Sequence, residues 1–284
     1  MFLEKVFNLI RLPNLLLIAL CQVLVQTCLL QPGKPVRVIL VQESFYLLLL
    51  STFCVAAAGY IINDYYDIKI DAINKPGRLV IGKTINRRQA ILAHLLLTGI
   101  GVIVGAVLNW RVGLINLGAA LLLWGYSARF KKKLLIGNIL IAILSGVMLL
   151  VVAVNVGSDN KAVWAYALFS FVISLIREII KDMEDIKGDA SFNCQTLPIV
   201  VGIPRAKWVL YALLIIFFVT ILAAIAYRRE DPFFGFYMLF FILMPGAFLV
   251  NALLKADRRR DFSRLSRWCK SIMFLGILSM LLFR

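Results

Sequence analysis

Long runs of apolar residues recur along this chain, and each is long enough to cross a lipid bilayer. A hydrocarbon core about 30 Å thick needs about 20 helical residues. The chain is 62% hydrophobic with a mean hydropathy of +0.90, whereas a soluble domain is about 45–50% apolar. The sequence therefore predicts an all-α, polytopic membrane protein with about nine transmembrane helices in a bundle. The predicted spans are residues 14–31, 42–62, 88–108, 112–128, 135–155, 162–180, 206–227, 233–254 and 268–283.

The formal net charge is +16. In a soluble protein this charge would favour nucleic acid as a partner. Here the lysines and arginines lie mainly in loops, and most of the 31 fall in the loops of one side. Because cytoplasmic loops carry the excess of Lys and Arg, that side is predicted to be cytoplasmic, and no nucleic acid partner is expected. An odd number of spans then places the N-terminus inside and the C-terminus outside, in a multi-pass protein of the inner or plasma membrane.

Two clusters of acidic residues stand out against these apolar runs. They share the spacing 0, 3 and 7 and are Asp64, Asp67 and Asp71 after the second run, and Asp182, Asp185 and Asp189 after the sixth, where Glu178 and Glu184 also lie. This spacing puts three carboxylates on one face of a helix. Acidic residues at a helix C-terminus oppose the macrodipole, so capping does not explain them. One such cluster is most often a solvated helix end, but two with the same spacing, on the same predicted face, favour a functional site.

Like charges this close repel each other unless a cation lies between them. Mg²⁺ prefers oxygen ligands and is usually held by one or two carboxylates together with substrate phosphates. Basic residues beside the acids, namely Lys75, Arg78, Arg177 and Lys181, could neutralise the rest of a diphosphate. If the diphosphate carried an allylic prenyl chain, its departure would leave a carbocation that the apolar bundle shelters from water. The residues therefore predict Mg²⁺-dependent chemistry on a prenyl diphosphate.

The two clusters are four spans apart, which indicates a weak internal repeat of spans one to four against five to eight. We expect one domain over residues 1–284. The loops after helices 2 and 6 are expected to form a cytoplasmic cap. The third and fourth spans are separated only by Asn109-Trp110-Arg111, which predicts a tight helical hairpin.

Several motifs of this chain resemble those of one known family. Asn63-Asp64-x-x-Asp67-x-x-x-Asp71, and Asp185-x-x-x-Asp189 with Asp182 upstream, look like the two aspartate motifs of the UbiA-type intramembrane prenyltransferase superfamily. Shorter stretches at 11–14, 132–138 and 196–202 are also similar to family segments, so that the resemblance covers nearly the whole chain. It implies a nine-helix protein with a central cavity, which transfers a prenyl group from a prenyl diphosphate to a lipophilic acceptor with Mg²⁺.

The resemblance also implies roles for individual residues. The catalytic carboxylates would be those of Asp64, Asp67, Asp71, Asp182, Asp185 and Asp189. The metal ligands would be Asn63, Asp64, Asp67, Asp182, Asp185 and Asp189. The diphosphate would contact Arg78, Lys181 and Arg177, and Asn14 would line the cavity.

The stretches 74–78 and 177–189 are similar to the branch that holds geranylgeranylglycerol-phosphate geranylgeranyltransferases and chlorophyll synthases. This implies geranylgeranyl diphosphate as the donor, and as the acceptor geranylgeranylglycerol phosphate or a related lipid, quinone or tetrapyrrole. Leu79 stands where the archaeal-lipid enzymes commonly have proline, and Asn193-Cys194-Gln195 replaces their more usual basic run. The acceptor therefore stays open.

Two alternative functions stay open at this point. Intramembrane terpene cyclisation would use the same Mg²⁺–diphosphate chemistry. A transporter could also carry acidic residues in a helical bundle, although it would place them near the midplane in broken helices, whereas these lie at span ends. The oligomeric state does not follow from the sequence.

Overall fold

In a computed structural model the described part of the chain folds mainly into helices joined by short connections. The structure describes residues 2–74, 77 and 79–284. Within them no β-strand forms, and one isolated bridge joins Ile81 and Ile85. In chain order the helices are α1 (Phe2–Leu9), α2 (Leu12–Leu24, continued by a π-helix over Val25–Leu30), α3 (Val36–Leu40), α4 (Glu43–Asn74), α5 (Arg87–Leu108), α6 (Trp110–Ala128), α7 (Ile136–Val156), α8 (Lys161–Ser191), α9 (Leu197–Val201), α10 (Ile203–Tyr227), α11 (Pro232–Met238, continued by a π-helix over Leu239–Leu243), α12 (Met244–Lys255) and α13 (Arg259–Leu278). Short 3-10 helices lie at Phe130–Lys132 and Ser279–Phe283. The predicted all-α fold is confirmed.

Eight segments of the described chain are long and apolar enough to cross a membrane. They are Leu12–Leu30, Glu43–Asn74, Arg87–Leu108, Ile136–Val156, Lys161–Ser191, Ile203–Tyr227, Pro232–Lys255 and Arg259–Phe283. The remaining predicted span corresponds to α6, a helix of 19 residues that is not among the eight. Arg111, Asn116 and three glycines lower its hydropathy. The protein is an integral membrane protein.

The helices α4 and α8 are the longest, with 32 and 31 residues. At about 1.5 Å per residue each measures about 46–48 Å, against a hydrocarbon core of about 30 Å. Each continues without a break past its predicted span, 42–62 or 162–180. The additional C-terminal turns carry the two acidic clusters, so that each cluster is held on a rigid helix rather than in a loop.

The chain forms two compact units, one of Met1–Lys131 with Val151–Asp159 and the other of Lys132–Leu150 with Asn160–Arg284. In the first unit α4 is the central helix, and α2, α5 and α6 pack against it. Its buried side chains include Phe45, Leu48 and Ile62, all inaccessible to solvent. This packing along α4 fixes the direction in which its C-terminal side chains point.

The hairpin of α5 and α6 also belongs to the first unit and confirms the predicted tight connection. Asn109 caps α6 by accepting a hydrogen bond from the backbone N–H of Arg111 at 3.0 Å. The Asn116 Nδ2 donates to the carbonyl of Gly101 at 3.0 Å. A Cβ on Gly113 would lie 2.7 Å from the Ala106 Cα, so that glycine lets the two backbones approach.

In the second unit α8 is the central helix, with α10 and α13 packed against it. Ile173, Ile176 and Ile180 of α8 are completely buried in the core of this unit. A Cβ on Gly276 of α13 would lie 2.3 Å from the Phe169 ring, so that α13 approaches α8 closely because residue 276 has no side chain. Like α4, α8 is therefore supported along its length up to its acidic turns.

Candidate active site

The first acidic cluster lies on the last turns of α4. Asn63, Asp64, Asp67 and Asp71 are all partly buried, and their positions on one continuous helix confirm the shared face predicted from the spacing. Carboxylates on one helix face repel each other. The cluster therefore needs positive charge nearby to be stable in this partly buried setting.

Two basic residues from other parts of the first unit supply that charge. The Arg11 Nη2 donates to the Asp64 Oδ1 at 2.8 Å, and the Lys131 Nζ donates to the Asp67 Oδ1 at 2.5 Å. The side chains of Lys131 and Asp67 are only 10% and 14% exposed. The Arg11 guanidinium also lies over the Tyr60 ring, 5.0 Å from its centroid. Both cations thus lie at the first acidic cluster, a place that sequence reasoning did not assign to them.

The second acidic cluster lies on the last turns of α8. Asp185 is buried, with 9% of its surface exposed, and Asp182 and Asp189 are partly buried. The Asn138 Nδ2, at the start of α7, donates to the Asp182 Oδ2 at 2.8 Å. Asn138 is itself 7% exposed, so that it holds one carboxylate oxygen of Asp182 in a fixed direction.

One turn before this cluster, Glu178 forms ion pairs with Arg177 and Lys181, two residues that are predicted to contact the diphosphate. The Arg177 Nη1 lies 2.6 Å from the Glu178 Oε1, and the Lys181 Nζ lies 3.4 Å from the Glu178 Oε2. Glu178 is 6% exposed, whereas the side chains of Arg177 and Lys181 are 28% and 30% exposed. The buried carboxylate thus anchors two cations whose side chains remain accessible.

The other residues predicted for the site are Lys75, Arg78 and Asn14. Lys75 and Arg78 lie outside the described residues. Asn14 lies in the first turn of α2 and is partly buried, with its backbone N–H donating to the Arg11 carbonyl at 2.8 Å. Its predicted place in a cavity stays a prediction.

The potential metal-ligand atoms of both clusters are of the kind that Mg²⁺ prefers. The candidate ligands are carboxylates and one amide, and hard divalent cations prefer oxygen. In the parts of the chain that the structure describes, no three His, Cys, Asp or Glu side chains form a group that could hold a metal ion by themselves. This is compatible with Mg²⁺, which proteins usually bind through one or two carboxylates together with water and substrate phosphates.

Comparison with known proteins identifies the family. A model of the UbiA prenyltransferase family matches residues 19–278. The chain belongs to the UbiA prenyltransferase family. The match includes both acidic clusters and extends from α2 to the end of α13, which confirms the family predicted from the motifs. The protein is accordingly a prenyltransferase.

Relatives of this UbiA family member share most of its length. Digeranylgeranylglyceryl phosphate synthase of Thermococcus sibiricus is 32% identical over 239 residues, which cover 83% of this chain and 83% of the relative. The synthase of the same name from Methanothermobacter thermautotrophicus is 32% identical over 229 residues, which cover 80% of each chain.

Solved structures of the family show the same fold. A structure of digeranylgeranylglyceryl phosphate synthase is 26% identical and covers 99% of this chain and 98% of its own, with a TM-score of 0.74. A UbiA homologue from Archaeoglobus fulgidus, bound to DMAPP and Mg²⁺, is 18% identical and covers 97% of this chain and 99% of its own, with a TM-score of 0.66. The fold predicted for the bundle is thus that of UbiA prenyltransferases.

Proposed function

We propose that this prenyltransferase transfers a geranylgeranyl group from geranylgeranyl diphosphate to geranylgeranylglyceryl phosphate, with release of diphosphate. The observation that carries the proposal is the identity of 30–32% over about four fifths of the chain with several synthases of digeranylgeranylglyceryl phosphate. A product with two geranylgeranyl groups on glyceryl phosphate is what this transfer would make. The two sequence departures, at Leu79 and at Asn193-Cys194-Gln195, make the acceptor the part that most needs a test.

The two acidic clusters are proposed to bind Mg²⁺ together with the diphosphate of the donor. The ligands would be Asn63, Asp64, Asp67, Asp182, Asp185 and Asp189, with Asp71 close to the first group. Bound Mg²⁺ would neutralise the diphosphate and so stabilise it as a leaving group. The support is the equal spacing of both clusters, their oxygen donors, and the DMAPP and Mg²⁺ bound to the Archaeoglobus fulgidus homologue.

The chain's own residues would orient the donor and protect it from water. Arg177 and Lys181 would contact the diphosphate oxygens, and the buried Glu178 keeps both cations on α8 next to the second acidic cluster. Lys75 and Arg78 are proposed as further diphosphate contacts on the segment after α4. Asn14 is proposed to line a cavity for the apolar substrates, where exclusion of water would protect the carbocation.

The acceptor is tested with purified protein, geranylgeranyl diphosphate and a panel of acceptors. We expect product with geranylgeranylglyceryl phosphate at least about 100-fold faster than with a quinone precursor or a carboxylated tetrapyrrole, because a site built for a phosphate leaves polar groups unpaired around other acceptors. Mass spectrometry of the extracted lipids identifies the product. Faster prenylation of a quinone precursor or a tetrapyrrole would reject this acceptor while keeping the reaction type.

The acidic clusters and the N-terminus are proposed to face the cytoplasm, with the C-terminus outside. The support is the excess of Lys and Arg in the loops on that side. All five native cysteines are buried, so that an introduced cysteine can be labelled with little background. We expect a membrane-impermeant maleimide to label Arg229→Cys in intact cells and Arg260→Cys only after lysis; the reverse pattern would contradict this topology.

A further inference from the structure

Asp64 and Asp67 of the first acidic cluster each accept a hydrogen bond from a basic side chain of the protein. The Lys131 Nζ contacts the Asp67 Oδ1, and the Arg11 Nη2 contacts the Asp64 Oδ1. Both pairs are long-range in sequence, with partners 64 and 53 positions apart. The pair of Lys131 and Asp67 has little exposure to water, so that solvent screens it less than a surface pair.

These pairs stand in the way of a metal ion at the same carboxylates. An Mg²⁺ bound to Asp67 would lie close to the Lys131 ammonium, and the two positive charges would repel each other. The Asp67 Oδ1, which accepts the hydrogen bond from Lys131, could serve the metal only if that bond weakened, and a metal on the Oδ2 would still lie close to the ammonium. The same conflict arises at Asp64, where Arg11 is the partner. Metal binding at this cluster is therefore expected to compete with the two basic side chains.

We propose that Lys131 and Arg11 are exchangeable counter-ions of the first acidic cluster. They hold Asp67 and Asp64 in place while the metal is absent, and Mg²⁺ displaces them when it binds. The proposal rests on the metal role proposed above for these two aspartates. Lys131 and Arg11 are thus positioning residues, because each acts through the carboxylate that it holds. They reduce repulsion within the metal-free cluster and lower its affinity for free metal.

The test is a metal titration of Lys131→Met in the absence of diphosphate. Mn²⁺, as a spectroscopic substitute for Mg²⁺, is titrated into the purified protein in detergent and followed by electron paramagnetic resonance. We expect Lys131→Met to bind Mn²⁺ more tightly than wild type, on the order of tenfold, and to melt at a lower temperature without metal. A lysine with a purely structural role would lower the melting temperature without tightening metal binding. Diphosphate is left out so that a direct contact of Lys131 with diphosphate does not contribute.

Matched variants separate the possible outcomes. Lys132→Met removes the same charge from an exposed neighbouring residue and should bind Mn²⁺ like wild type. Lys131→Arg keeps the charge, and its Mn²⁺ affinity should therefore be closer to that of wild type than to that of Lys131→Met. Arg11→Gln tests the same displacement at Asp64. Its Mn²⁺ affinity is still informative if Lys131→Met does not fold. Unchanged or weaker Mn²⁺ binding in Lys131→Met, or in Arg11→Gln where Lys131→Met does not fold, would overturn the counter-ion proposal.

A further variant distinguishes failure of this proposal from failure of the proposed function. Asp67→Asn should weaken Mn²⁺ binding, since it removes a proposed ligand charge. If Asp67→Asn weakens binding while Lys131→Met and Arg11→Gln leave it unchanged, the counter-ion proposal is wrong and the metal role stands. If Asp67→Asn binds Mn²⁺ like wild type, the metal role of Asp67 is wrong and the counter-ion proposal is overturned with it.

Discussion

Asp67→Asn and Asp189→Asn should each reduce prenyl transfer to below about 1% of wild type, a loss on the order of 100-fold or more. Each change removes one negative charge, and the two changes affect the two proposed metal-binding clusters separately. An amide of nearly the same shape replaces the carboxylate, so that side-chain packing is retained, and Asp67→Asn is expected to lower the melting temperature because it leaves Lys131 without its charge partner. The measurement is the initial rate of prenylated product at saturating Mg²⁺, with circular dichroism and the melting temperature as controls for folding.

The matched control for these two variants is Asp159→Asn. Asp159 lies between α7 and α8, is exposed and belongs to neither acidic cluster, so that this variant should keep wild-type turnover. A folded Asp67→Asn or Asp189→Asn variant with wild-type turnover would contradict the assignment of that cluster to the reaction.

Glu178→Gln should destabilise the protein by about 3 kcal/mol, since breaking a buried ion pair typically costs about 3–5 kcal/mol and both partners here are partly exposed. Glu178 is 6% exposed and contacts both Arg177 and Lys181. Without its charge these two neighbouring cations of α8 would repel each other. Chemical or thermal unfolding in detergent measures the change.

Glu184→Gln is the control for Glu178→Gln. Glu184 lies on the same helix but is only partly buried, so that the same chemical change there should alter the free energy of unfolding by less than about 0.5 kcal/mol. Equal stability of Glu178→Gln and Glu184→Gln would show that the buried carboxylate is not needed to hold the two cations.

Local features of the sequence were enough to predict most of the fold. Apolar runs of about 20 residues specify membrane helices because lipid leaves the backbone no other hydrogen-bond partners. The spacing 0, 3 and 7 likewise specifies a shared face once the segment is helical. That spacing implied helix beyond the predicted spans, which ended at residues 62 and 180. Hydropathy alone did not mark the extension of α4 and α8, since it falls where the polar turns begin although the helix continues.

The partners of the carboxylates could not be predicted, because they depend on tertiary contacts. Lys131 lies in a run of three lysines, and nothing local distinguishes it from Lys132 and Lys133. Its contact with Asp67 joins residues that are 64 positions apart in sequence. Arg11 lies in a stretch that resembles the family, but its contact with Asp64 spans 53 residues. The hydrogen bond between Asn138 and Asp182 likewise joins residues that are 44 positions apart in sequence.

The central claim is that the acidic clusters support Mg²⁺-dependent transfer of a geranylgeranyl group. The most direct test measures diphosphate release and prenylated product in the same reaction of purified wild-type protein, with geranylgeranyl diphosphate and geranylgeranylglyceryl phosphate. We predict one diphosphate released per product formed, with both absent in the presence of EDTA and both restored by Mg²⁺. Product formation that proceeds equally well in EDTA, or diphosphate release without any prenylated product, would contradict the claim.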